Sequence, residues 1–297
     1  MIRPDEGYSV RWAEHSYPAD IARWNYHPEY ELHLIRKSEG RFIVGDTVGL
    51  FSPGQVTLVG PGIPHDWISF LEPGEVVVNR DALIQFDGEW LANCSSLMPE
   101  LDDLAPLLER ARRGVVFHGQ TAATLATAID SMGSLSGIDR LLALIGVFRT
   151  LARAPEIDVE GLESNYTRHD ADLRSTATVD LAVDYIFKNL TGYVSMAEAA
   201  RLANMSESTF SKYFKRASGM TFTEMVAKLR ISHACRLLET TDEPISSISE
   251  SVGFTNLSNF NRQFRRVTGS TPREHRRTSP RRRVRVPPQL SYPGIAP

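Results

Sequence analysis

Residues 244–277 read PISSISESVGFTNLSNFNRQFRRVTGSTPREHRR. Ile245, Ile248 and Val252 recur at helical spacing, and Gly253 follows where a helix stops on a left-handed residue. A second helix is expected over about 256–268, with Leu257, Phe260, Phe264 and Val267 on its buried side. Its opposite side carries Ser258, Asn259, Asn261, Arg262, Arg265 and Arg266. Two short helices around a glycine-containing turn, the second presenting hydrogen-bonding and cationic groups, form the pattern of a helix-turn-helix.

The pattern also occurs 50 positions upstream. Ser208, Phe210, Lys212, Phe214, Lys215, Arg216, Gly219 and Thr221 align with Ser258, Phe260, Arg262, Phe264, Arg265, Arg266, Gly269 and Thr271. Self-similarity at a fixed offset marks a repeated structural unit, here two helix-turn-helix units in tandem. Shared phenylalanines alone would require only a common core. The recurring cations are harder to explain by packing.

With both halves in view, ISSISESVGFTNLSNFNRQFRRVTGSTPREHRR resembles the signature of the AraC/XylS transcription regulators, and LRISHACRLLETT resembles the helix linking their two units. The resemblance runs without gaps over about 176–278. Ser249 departs from it, standing at a tight helix contact where the family usually has alanine. The resemblance implies a sequence-specific DNA-binding regulator and no enzyme. Its implied partners are double-stranded promoter DNA, a small-molecule effector, a second copy of the chain and RNA polymerase. Ser208, Ser211 and Lys212, with Ser258, Asn259, Asn261 and Arg262, match family positions that meet base edges or the nearby backbone. Arginine can bond guanine bidentately and asparagine adenine, which is why these residue types read sequence. Lys215, Arg216, Arg265 and Arg266 lie later on each helix and fit phosphate contacts that position the protein. For any single cation the alternative is a solvated helix face.

The balance of charge agrees. The whole chain carries a formal charge of −3, which alone argues against a polyanion partner. Residues 176–286, however, hold 18 Lys and Arg against 10 Asp and Glu, leaving 15 against 26 elsewhere. Such segregation expects a basic polyanion-binding module joined to an acidic module with another task. A length of 297 residues suits about two domains, and 42% hydrophobic with 23% charged residues suits a soluble globular chain. MIRPDEGYSV lacks the apolar run of a signal peptide, and no later stretch nears ~18 uninterrupted apolar residues. Cys94 and Cys235 are too few for a disulfide framework. These features lead us to expect a cytoplasmic protein without a membrane partner.

Residues 8–90 carry short β-type runs at 31–36, 41–44, 55–59 and 75–78, separated by Gly, Pro, Asp and Asn, as in a sandwich or small barrel. HPEYELHLIRKSEGRFIVGD (27–46) with FSPGQVTLVGPGIPHDW (51–67) resembles the sugar-binding cupin domain at the front of many such regulators. The resemblance implies a cupin-like β-barrel that binds an effector. Cupins often hold a metal with a His-x-His pair, a glutamate and a later histidine, places taken here by Asn25, His27, Glu31 and His65. Asn25 removes one good nitrogen ligand. A different register offers His27, Glu29, His33 and His65. Along an extended strand His27, Glu29, Glu31 and His33 share one face. The reading adopted is a polar pocket without metal or other cofactor, lined by His27, Glu31, His33 and His65. The rings of Trp24 and Trp67 stand near it to receive a flat polar ligand. Ordinary core burial is the alternative for each tryptophan. No residue set amounts to a nucleophile with its base.

From Met98 the pattern turns helical. LDDLAPLLERARRG reads as a helix ended by Gly114, followed by helices over about 121–132 and 136–152, the last capped by Ser136 with Asp139. Leu135, Ile138, Leu142 and Ile145, flanked by Leu141, Leu144, Phe148 and Leu151, make a wide apolar stripe. It is read as a dimer contact, with burial against its own β domain as the rival. Residues 154–175 lack apolar periodicity and read as a linker. A helix over about 178–190 follows, then a Ser195/Glu198 capping box, a recognition helix capped by Ser206, and a connecting helix over 222–239. The expected architecture is α+β and multidomain. It comprises a cupin-like effector domain (1–97), a helical dimerisation segment (98–153), the linker (154–175), an all-α double helix-turn-helix domain (176–278) and a basic disordered tail (279–297). The competing readings are a cupin metalloenzyme fused to a DNA-binding module, and a regulator without an effector.

Overall fold

The computed structural model describes residues 5–18, 25, 27–72, 74–162 and 173–278. They belong to two compact units: 1–47, 51–69 and 76–168 form one, and 48–50, 70–75 and 169–297 the other. The expectations for Trp24, most of the linker and the arginine-rich tail fall outside the described residues.

The first unit opens with strands β1 (Arg11–Tyr17), β2 (Tyr30–Ile35), β3 (Gly40–Val44), β4 (Thr47–Phe51, of which 48–50 count with the second unit), β5 (Val56–Val59), β6 (His65–Ser69) and β7 (Val77–Phe86). Helices α1 (Gly88–Leu97) and α2 (Ala105–Ala111), strand β8 (Val115–Phe117), helices α3 (Gly119–Met132) and α4 (Gly137–Ala152), and strand β9 (Val159–Gly161) follow. One sheet has the order β1-β7-β2-β5-β8-β9 and the other β4-β3-β6. A closed barrel was expected; the described strands instead make two separate sheets.

Strand β2 lies between β5 and β7, and from Glu31 to Ile35 every residue is buried. Alternation gives its two faces different company. Leu32 and Leu34 join Val56, Leu58, Ala82 and Ile84 in an apolar core with Leu125, Ile129, Leu144 and Phe148 of α3 and α4. On the other side, Ile35 and Val59 pack with Phe42, Val44 and Trp67 of the smaller sheet. Glu31 and His33 share that second face with Gln85, which is paired to Glu31 in the β2–β7 register.

Several local expectations need correction. The helix expected over 101–113 is a 3-10 turn (Pro99–Leu104) running into α2, because Pro106 sits in the first turn of α2 and restarts the helix there. Ser136 is the N-cap residue of α4, but its side chain makes no capping hydrogen bond. Strand β8 falls within the segment expected to be helical, and β9 within the expected linker; each is three residues long, too short to show a period. The apolar stripe divides. Leu144, Phe148 and Leu151 are buried in the unit's own core, whereas Ile138, Leu141, Leu142 and Ile145 are exposed.

The second unit is helical: α5 (Leu173–Asn189), α6 (Met196–Leu202), α7 (Glu207–Ser218), α8 (Phe222–Thr240), α9 (Ile245–Ser251), α10 (Leu257–Thr268) and α11 (Pro272–Thr278). The offset of 50 seen in the sequence is a repeat of bonds as well as of residues. Ser206 accepts from the Thr209 N–H and Asn256 from the Asn259 N–H, starting α7 and α10. Both helices end on left-handed glycines, Gly219 (φ 77°) and Gly269 (φ 73°). Thr221 and Glu224 then cap each other reciprocally, as do Thr271 and Glu274. Ser195 accepts from the Glu198 N–H, but Glu198 turns to Arg201, so the expected box is half made. Phe210, Phe214, Phe260 and Phe264 are all fully buried. Leu257, expected inside, is exposed: it is the first residue of α10, a full turn ahead of the buried pair's row.

Candidate nucleic-acid interface and buried polar cluster

Helices α7 and α10 are amphipathic for the same reason. Phenylalanines four residues apart on each lock one side into the core, with ring centroids 5.5 Å apart for Phe210–Phe214 and 5.6 Å for Phe260–Phe264. The other side is thereby turned outward. Ser208, Lys212, Lys215 and Arg216 on α7 are exposed, and Ser211 is half-buried. On α10, Ser258, Asn261, Arg262, Arg265 and Arg266 are exposed and Asn259 is half-buried. Arg262 Nη2 donates to Asn259 Oδ1 at 2.9 Å, so the two groups with the strongest base-pairing chemistry are held side by side. All eleven residues expected to meet DNA therefore lie on outward or partly outward positions of two helices with matching ends. The cations in the last turn of each helix also favour its carbonyl end.

The polar residues of the first unit converge in its interior. Glu31 is the hub. Its Oε2 lies 3.0 Å from His27 Nε2 and accepts from Gln85 Nε2 at 2.8 Å. Its Oε1 lies 3.0 Å from His33 Nδ1 and 3.7 Å from His65 Nε2. Trp67 covers the group, its ring 4.0 Å from His33 and 5.6 Å from His65. All of these side chains are buried. His27, Glu31, His33, His65 and Trp67 are thus brought together, while Glu29 is buried beside His27 with its Oε2 3.5 Å from Nδ1.

The electrostatics follow from burial and proximity. Burial would push the Glu31 carboxyl up, but His65, His27 and His33 hold it well below the usual carboxylate range. Burial opposes charge on His33, yet Asp81 and Glu31 outweigh it and raise this imidazole to about 9. His33 Nε2 is 3.7 Å from Asp81 Oδ2, an ion-pair distance beyond a hydrogen bond. Burial lowers His65 to about 4, with His27 and His33 adding to the effect against the pull of Glu31. His27 is opposed by burial but raised overall by Glu31 and Glu29. Asp81 is depressed despite its burial, because His15, His33 and Arg80 surround it.

Asp81, Gln85, His15 and Arg80 were missed from the sequence. The available signal was the polar Asn79, Arg80, Asp81 and Gln85 among the apolar residues of β7, with Asp81 and Gln85 an even number of residues apart and so on one face. One ligand atom from each of His27, Glu31 and His65 lies within 4.8 Å of the other two. These are three of the four positions implied by the cupin resemblance, without Asn25, which forms a backbone bridge with His65.

A helix-turn-helix domain family matches residues 199–278. The RCS-specific HTH-type transcriptional activator RclR of Escherichia coli is 30% identical over 226 residues, covering 75% of each chain. The probable transcriptional regulator LumQ of Photobacterium leiognathi is 30% identical over 258 residues, 85% of this chain and 92% of that protein. Shorter matches also occur, one spanning 33% of this chain and 40% of a Bacillus subtilis regulator. Among solved structures, a probable AraC family transcriptional regulator from Rhodopseudomonas palustris is 25% identical, over 35% of this chain and 98% of that one, with a TM-score of 0.33. No helix among the described residues is long and apolar enough to cross a membrane. The doubled helix-turn-helix and the relatives matched along most of their length lead to one assignment: the chain belongs to the AraC-type family of helix-turn-helix transcription regulators.

Proposed function

We propose that the protein regulates transcription in the cytoplasm by reading promoter DNA with α7 and α10, under the control of a ligand taken up by its N-terminal unit. The observation that carries the first part is the repeat of cap, buried phenylalanine pair and outward cation on two helices. In this reading Ser208, Ser211, Lys212, Ser258, Asn259, Asn261 and Arg262 face base edges, and Lys215, Arg216, Arg265 and Arg266 face phosphates. The buried cluster around Glu31 supports the second part, since a polar group of this density inside an effector domain is what fixes a ligand's orientation. The exposed Ile138, Leu141, Leu142 and Ile145 of α4 support pairing of two copies.

Titrations on the operator and a scrambled duplex at several salt concentrations test the DNA roles. Arg262→Ala is expected to cost ~1–3 kcal/mol on the operator and to relax preference at one base pair. Arg266→Ala is expected to weaken both duplexes alike and to reduce the salt slope by about one unit. Equal weakening of both duplexes by Arg262→Ala would make Arg262 a phosphate contact and defeat the base-reading role.

A further inference from the structure

The two helix-turn-helix halves differ in one place. Helix α6 is followed by residues 203–206 and then α7, whereas α9 is followed by 252–256 and then α10, one residue more. The bonds agree. The Met205 N–H donates to the Ala200 carbonyl and the Phe254 N–H to that of Ser249, an offset of 49, while the buried phenylalanine pairs keep an offset of 50. The longer turn carries Gly253 in the left-handed region, at φ 92°. A β-carbon there would stand 2.9 Å from Arg230 Nε and 2.9 Å from the Leu190 carbonyl oxygen, so a glycine is needed for the turn to close on both.

Arg230 belongs to the connecting helix α8 and is half-buried. Its Nε donates to the Leu190 carbonyl at 2.8 Å and its Nη2 to that of Gly192 at 2.7 Å. These carbonyls follow the end of α5, where a helix leaves acceptors unsatisfied and its dipole favours a cation. The guanidinium also stands 5.8 Å from the centre of the Phe254 ring, within cation–π reach. One side chain thus joins the α5–α6 loop of the first half to the α9–α10 turn of the second. The cores of the halves are built separately. Phe210, Phe214 and Phe222 pack ring against ring in the first, and the buried residues of the second half's core run from Ile231 to Phe264. Helix α8 packs on α7 and on α9, α10 and α11, which holds each half to α8; Arg230 holds them to one another.

We propose that Arg230 is a positioning residue for DNA recognition: by tying the α5–α6 loop to the α9–α10 turn it sets α10 relative to α7, and so selects how many base pairs separate the two segments they read. The inference rests on the reading of α7 and α10 as the DNA-facing helices. Arginine suits the task because its planar fork spans two carbonyls while its face lies against a ring, which the single ammonium of lysine cannot do. Losing the bracket leaves both cores and both outward faces in place and frees the angle between them.

The test uses the full-length chain and a duplex library with a random stretch of about 30 base pairs, roughly three turns of DNA. Duplexes enriched by the wild-type chain are expected to show two preferred blocks at one separation. The best of them is then titrated beside a copy with one base pair inserted between the blocks, which moves the second block by about 3.4 Å and turns it by roughly 34°. The insertion is expected to weaken the wild-type chain at least about 10-fold, as mismatching a block does. Arg230→Met keeps the apolar stem and removes the donors. It is expected to bind the wild-type duplex about 3–10-fold more weakly and to lower the insertion penalty to about 3-fold or less, because the halves are no longer preorganised. Base preference within each block is expected to stay as in the wild type. Arg230→Lys, which can reach one carbonyl, is expected to fall between the two, and it replaces Arg230→Met if circular dichroism shows that variant unfolded. A side chain serving stability alone would lower affinity for both duplexes by one factor, so an insertion penalty equal to the wild type's would overturn the inference and leave the two-helix reading standing. Enrichment of a single block by the wild-type chain would defeat that reading and the inference with it.

Discussion

Ser249→Ala is expected to make the helical unit more stable. Ser249 sits in α9, almost fully buried, and its Oγ has no hydrogen-bond partner among the described residues. A buried hydroxyl left unpaired costs about 1–3 kcal/mol in lost solvation. Alanine removes that cost without opening a cavity larger than one oxygen atom, and gains roughly 0.5 kcal/mol of helix propensity. The sum is about 1.5–3.5 kcal/mol. For a unit of this size each kcal/mol moves the transition by about 4–8 °C, so the predicted rise is about 6–28 °C. Ser218→Ala is the matched control. Ser218 is equally buried, but its Oγ donates to the Phe214 carbonyl at 2.8 Å and accepts from the Met220 N–H at 3.4 Å. The same chemical change there removes made bonds and is expected to cost about 0.5–1.5 kcal/mol or more. Differential scanning calorimetry of both variants in the full chain reads the two signs directly. A fall in the transition on Ser249→Ala, or shifts of like sign for both serines, would refute the reasoning.

Three further outcomes are expected. Phe264→Ala, which empties a fully buried site between Phe260 and His275, should cost about 3–5 kcal/mol and lower the helical unit's transition while leaving that of the first unit in place, as separate calorimetric peaks would show. Leu142→Glu, on the exposed face of α4, should give monomers with an unchanged circular dichroism spectrum; a dimer of undiminished mass in sedimentation would move the interface elsewhere. Thr271→Ala, which breaks the reciprocal cap with Glu274 at the start of α11, should cost about 0.5–2 kcal/mol in urea unfolding, and a change under 0.3 would show that the cap contributes little.

The helical unit was readable in the sequence because its determinants are local. Gly219, Gly253 and Gly269 mark helix ends, Ser206 starts α7, and the phenylalanine pairs set the buried row, all within windows of a few residues. Leu257 misled because hydrophobicity at a helix's first residue does not ensure that its side chain reaches the core. The β unit was harder for a physical reason. Strands β1, β8 and β9 carry no clean alternation, and what holds them is pairing with distant partners. The polar cluster shows the same limit. His27, Glu31 and His33 were found on one strand face, since a period of two is local. Gln85, which bonds Glu31 from 54 residues away, and Asp81, which flanks His33, enter only through the register of β2 against β7.

Helix α8 has a consequence for how such a chain can change over generations. It is 19 residues long, with a cap at its start that repeats the one at the start of α11. An α-helix turns by about 100° and rises ~1.5 Å with every residue. One residue inserted in the middle of α8 would therefore swing everything beyond it by more than a quarter of a circle while lengthening the rod by barely an atom's width. A change of seven residues, nearly two full turns, would restore the angle but add about 10 Å. The rod can thus be retuned residue by residue in chemistry, yet only in coarse jumps in length, so that the spacing between α7 and α10 changes by whole turns or not at all.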